Sequence, residues 1–164
     1  MAEVKSWNAL MNAVKKRVEQ TLKNEVFEEV RDVYQKHIDE DVYDVHSPTV
    51  YQRRDIGGGL IADENIIGDV NDFVLAVKDI APLNTSISNS GKQKSYSDTY
   101  LANIIENGLA NTGHAKNLFN RDMSSEPWAN PRPFTQNTIN DLKTNKQHIE
   151  ALKEGLKKRG IKTE

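Results

Sequence analysis

Cysteine is absent from these 164 residues, so disulfides and thiolate metal sites are excluded. Long apolar runs are missing too. The longest, Phe73 to Val77, is far short of the roughly 20 residues a membrane span needs. Residues 1–23 lack the uninterrupted apolar region of a signal peptide. A soluble chain made in a cytoplasm is the expectation. Nor does one sign of charge dominate: 22 bases against 24 acids give a net charge of −2. With a pI near 6.1, that balance argues against the large electrostatic footprint of a nucleic-acid binder.

Catalytic groupings are lacking as well, although an enzyme needs convergent reactive side chains near turns or strand ends. The carboxylates Glu28-Glu29 and Asp39-Glu40-Asp41 have Lys and Arg interleaved, as on a solvated helix face. Serines concentrate at 86–97 with no histidine close by, and His114 and His148 stand alone. Gly57-Gly58-Gly59 is followed by Leu60-Ile61-Ala62-Asp63, not by the Lys-Ser/Thr and helix of a phosphate-binding loop, and reads as a hairpin connection. His37, Asp41, Asp44 and His46 are metal-ligating types, but their spacing is read as neither a helical i,i+4 pair nor a known loop pattern. The reading is therefore of a non-enzyme, with no catalytic residue, cofactor or metal.

What is present is a polar chain, 37% hydrophobic and 28% charged, with length for one core. That composition suits exposed helices, or a core completed by neighbouring subunits. A single domain over 1–164 is expected. Its parts are a helical segment (1–41), strands (42–82), a flexible loop (83–97), a short helix (98–108), an irregular loop (109–132) and a C-terminal helix (133–160). Ser6 reads as an N-cap. Apolar side chains from Trp7 through Leu10, Met11, Val14, Val18, Leu22, Val26, Val30, Val33 and Tyr34 to Ile38 form one helical stripe. Either one helix reaches about Asp39 or two join near Lys23-Asn24.

Pro48 ends helical continuation. Val50–Arg54 reads as a strand with Tyr51 and Arg53 on one face, and Asn65-Ile66-Ile67 as another. Phe73–Ile80 is apolar nearly throughout and predicts a central strand. Asn84–Asp98 is Ser/Asn/Gly-rich and reads as a mobile loop. From Asp98 to Asn107 a short helix is expected, capped by Asp98, with Tyr100, Leu101, Ile104 and Ile105 inward and Gly108 as left-handed C-cap. In the last helix, Ile139, Leu142, Ile149, Leu152 and Leu156 are in register. Lys157, Lys158 and Arg159 suit its negative end, and Gly160 stops it.

Charge is unevenly placed. Asn24–His46 holds eight acids and two bases, whereas Lys143–Glu164 holds seven bases and three acids. These are two solvated helix faces, or acidic and basic ends that meet between neighbouring subunits.

Tyr100-Leu101-x-x-Ile104-Ile105-Glu106-Asn107-Gly108, followed by Pro131-Arg132-Pro133-Phe134 opening a helix, resembles the C-terminal half of a tailed-bacteriophage neck family, the tail-completion or head–tail joining proteins. Val42-Tyr43-x-x-x-Ser47-Pro48-x-x-Tyr51-x-Arg53-Arg54 adds a second, weaker match, which resembles proteins in phages and prophages of Gram-positive bacteria. The resemblance implies an α+β fold in which a long N-terminal helix or helix pair and a C-terminal helix pack on a small, mainly antiparallel sheet. It implies a non-catalytic virion protein of the neck or tail, forming rings, commonly hexameric, with head connector and tail tube or terminator proteins. It further implies non-specific proximity to DNA in the channel, with no membrane partner. Tyr51, Arg53, Arg54, Glu106, Gly108, Arg132, Pro133 and Phe134 become interface or structural candidates. Pro133 aims the last helix and Phe134 plugs its start into the core. Glu106 lies just before a C-cap, against the dipole's preference, and calls for a partner such as Arg132 or Arg53. A cytoplasmic protein-binding module or regulator unrelated to the virion stays open.

Overall fold

The computed structural model describes residues 6–45, 59–81, 101–108 and 130–163. Tyr51, Arg53, Arg54, the Val50–Arg54 strand, the 83–97 loop, Asp98, Tyr100 and residues 109–129 lie outside the described residues.

Helix α1 spans Trp7–Thr21. Ser6 is extended, and its hydroxyl accepts the Ala9 N–H at 3.2 Å, satisfying one of the free donors of the first turn. The helix continues through a π-turn, Leu22–Val26, into α2, Phe27–Ile38, and ends in a second π-turn, Asp39–Tyr43. The joint expected near Lys23-Asn24 is thus a widened turn in one helical run.

A short 3₁₀ turn, Asp63–Asn65, leads into strand β1, Ile66–Asn71, which pairs with β2, Val74–Asp79. Asp72 and Phe73 connect them with φ of 45° and 67°, the left-handed pair of a two-residue antiparallel hairpin. The central strand expected at 73–80 is corrected here. Among the described residues β2 has β1 as its one neighbour, and Phe73 and Val74 are exposed. Asn65 belongs to the 3₁₀ turn, not to the strand.

Helix α3 spans Leu101–Asn107 and is followed by Gly108 at φ 74°, the left-handed C-cap that glycine alone adopts without cost. Its buried residues are Ala102 and Ile104, with Leu101 and Ile105 half-buried. The single helix expected over 133–160 is two: α4, Phe134–Asn145, and α5, Gln147–Lys158. Lys146, at φ 58°, breaks the run. Its N–H still bonds to the Leu142 carbonyl and its own carbonyl accepts from Ile149 and Glu150, so the break keeps its backbone bonds.

The described chain is therefore α+β and mostly helical, with a small antiparallel sheet. Among the described residues no helix is long and apolar enough to cross a membrane. The chain divides into two compact units: Met1–Val33 with Gly68–Val77 and Asn140–Glu164, and Tyr34–Ile67 with Lys78–Ile139.

In the first unit, α5 lies against the Leu22–Val26 turn. Gly155 makes this approach possible, because a Cβ there would overlap the methyl of fully buried Thr21. The Arg159 Nη1 donates to both carboxylate oxygens of Glu25 at 2.8 Å. Burial pushes the Glu25 carboxyl up, but the Arg159 hydrogen bond, a backbone hydrogen bond and the charges of Arg159 and Lys158 together outweigh it and leave it below its ordinary value. Phe27 covers Gly68 so closely that a Cβ on Gly68 would sit 2.5 Å from the ring, which packs α2 on β1. Lys15 reaches Asp72 at 2.5 Å and lies over the Phe73 ring. The apolar stripe fails at its start, where Trp7 is 72% exposed and Met11 49%.

In the second unit Tyr34, Ile38, Val42, Leu60, Ala62, Ile66, Ala81, Ile104 and Phe134 are buried. Polar side chains tie its short segments down. The Gln35 amide donates to the Ile61 carbonyl and to Asp63, each at 2.7 Å. Buried Asn65 donates from its side chain to the Gly59 carbonyl at 2.8 Å and accepts the Ile80 N–H through its own carbonyl at 2.7 Å.

Candidate functional site

The end of α3, the start of α4 and the Asp39–Tyr43 turn meet within the second unit through Glu106, Arg132 and Phe134. Glu106 has the partner that its position calls for, and among the described residues that partner is backbone and not the Arg132 side chain. Its carboxylate accepts the backbone N–H groups of Thr135, at 2.8 Å, and Gln136, at 3.3 Å. Those belong to the first turn of α4, where N–H groups have no carbonyl inside the helix and the dipole is positive. A carboxylate out of place at the end of one helix is in place at the start of another.

Arg132 does the converse with its donors. Its N–H bonds to the Ile105 carbonyl at 3.0 Å, near the end of α3, and its guanidinium donates to the Val42 carbonyl at 2.8 Å. Burial lowers the pKa of the guanidinium. The Pro133 carbonyl accepts the Asn137 N–H at 2.9 Å, opening α4. Phe134 is fully buried, its ring edge-on to Tyr34 with centroids 5.4 Å apart. Gly108 ends α3 two residues after Glu106.

Two titratable groups sit deep beside this frame. The Tyr34 hydroxyl is pushed well above its ordinary range by burial, with the negative charges of Asp79 and Glu106 adding to it and a Thr135 hydrogen bond opposing. Burial also pushes Asp79 up to about 6, against a hydrogen bond from the Ala81 N–H at 2.8 Å. Its other oxygen, Oδ2, is buried without a hydrogen bond. Sequence reasoning missed both. The signal for Asp79 was an acid closing an apolar strand two residues before a backbone donor, the pattern of an Asx turn.

On the outer side of the frame lies an open recess of about 490 Å³, lined by Glu40, Asp41, Val45, Asn130, Pro131, Arg132 and Pro133. Asp41 accepts the Asn137 amide at 2.9 Å. His37 and Asp41 do form a helical i,i+4 pair, with Nδ1 to Oδ2 at 3.7 Å, which corrects the spacing argument made from the sequence. Among the described residues no three His, Cys, Asp or Glu side chains are placed to hold a metal ion. Tyr51, Arg53 and Arg54 lie outside the described residues.

Fold and frame together define a mostly helical α+β protein whose motif residues fasten helix ends to one another. The chain belongs to the YomN family, whose family model matches residues 6–158. The family is a phage-associated one. No curated protein and no solved structure matches the chain.

Proposed function

We propose that this chain is a structural virion protein of a tailed bacteriophage. In this reading it acts without catalysis at the head–tail junction, in tail completion or head–tail joining. It assembles there with copies of itself and with head connector and tail tube or terminator proteins. One observation carries the reading: membership of a phage-associated family across residues 6–158. The frame supports it, because Glu106, Arg132 and Phe134 spend their chemistry on backbone and packing. An assembly part needs that rigidity. Mass spectrometry of purified particles from the encoding phage tests the reading, with gold labelling or cryo-electron microscopy to place the chain at the neck. Its absence from particles, with a host cytoplasmic protein captured instead, would replace this reading with that of a cytoplasmic binding module.

A further inference from the structure

We infer that the recess beside Pro131–Pro133 receives the basic end of α5 from a second copy of this chain. The inference rests on the assembly reading above and gives that assembly a contact.

The recess lining combines apolar residues with two acids and Arg132. Val45, Pro131 and Pro133 are its apolar residues, and Val45 is 66% exposed. Glu40 and Asp41 line it, and exposed Asp39 and Asp44 belong to the same end of the helical run. These acids repel one another: Asp39 is held above the ordinary carboxylate range by burial, then by Asp44 and Glu40. Bringing cations to these acids relieves that repulsion.

The matching chemistry lies on the same chain. Lys157, Lys158 and Lys162 are exposed at and just beyond the last turn of α5. Arg159, in their midst, is committed to Glu25. Acidic recess and basic helix end are different surfaces, so two copies joined this way make a head-to-tail contact. Such a contact propagates until the rotation closes a ring. One recess is smaller than a stable interface requires, so a single contact is weak and sensitive to salt, and closure multiplies it.

Sedimentation velocity on the full chain, over a range of concentration and salt, tests this. Glu40→Lys with Asp44→Lys, and separately Lys157→Glu with Lys158→Glu, are each expected to weaken self-association by about tenfold or more. An equimolar mixture of the two variants is expected to restore it, because each reversed surface then meets its complement. Val45→Ser keeps every charge and is expected to weaken association by a smaller factor. Circular dichroism checks that each variant is folded. Association that is unchanged in all variants, or a wild-type chain that stays monomeric throughout, overturns the recess contact. A chain that stays monomeric also removes self-assembly from the reading above, whereas a place in the virion falls only if the chain is absent from particles.

Discussion

In the first unit a helix meets a helix through a glycine, with Gly155 against Thr21 and one ion pair, Arg159 to Glu25, closing the contact. In the second, segments too short to hold themselves are fastened by polar side chains that bond to backbone: Gln35, Asn65, Glu106 and Arg132. Packing of regular elements needs shape. Fastening of irregular ones needs a donor or acceptor at each free backbone group. The two solutions should fail differently.

The largest loss is expected from Phe134→Ala, which empties the fully buried position where the second unit's apolar contacts and its fastenings coincide. Denaturant unfolding should show a cost of about 3–5 kcal/mol. Next is Gly155→Ala. An added methyl raises helix propensity by roughly 1 kcal/mol, but the overlap with Thr21 should outweigh this and leave a net loss of about 1–3 kcal/mol. Adding Thr21→Ser, which removes the clashing methyl, should recover much of it. A Gly155→Ala chain as stable as wild type would break the claim that close approach holds this unit.

Acid sharpens the contrast, because the two units carry carboxylates shifted in opposite directions. Asp79 keeps its proton more tightly when folded than when unfolded, so stability should fall as pH rises from about 4 to about 6. Asp79→Asn keeps the acceptor for the Ala81 N–H. It should remove that slope and raise stability at neutral pH by about 1–2 kcal/mol. Glu25 has the reverse sign, since its folded pKa is lowered. Its contribution is present above the ordinary carboxylate range and is lost as pH falls through the folded value; Arg159→Ala should flatten that acid limb. The smallest effect is expected from Glu106→Ala, about 1 kcal/mol in thermal unfolding, the worth of a helix-start acceptor. Hydrogen exchange should locate its effect at Thr135 and Gln136.

Where a local rule decided the structure, the sequence showed it. Ser6 before an amphipathic run and Gly108 after one are caps whose chemistry acts within a few residues, and both sit as read. The fold class was legible for the same reason. The break at Lys146 was not, because lysine has no preference for positive φ and the apolar register runs past it. The run at 73–80 misled because continuous apolarity usually means a strand covered on both faces. The hairpin turn was hidden by Phe73, a bulky residue in a conformation that usually selects Asn or Gly. At the candidate site, Glu106 was recognised as needing a partner, but side chains suggested arginine. Backbone N–H groups leave no mark in a sequence.

The two π-turns also leave a trace that is visible once they are known. From Val14 the apolar positions advance by fours, through Val18, Leu22, Val26 and Val30, and again through Tyr34, Ile38 and Val42. Each such step overshoots a regular α-helical turn by about 40°, so the stripe would drift off the face it began on. A turn that holds one surplus residue absorbs the drift. Deleting a single residue between Lys23 and Glu25 should therefore leave an unbroken α-helix whose later side chains face as before, while removing the bulge that α5 rests on.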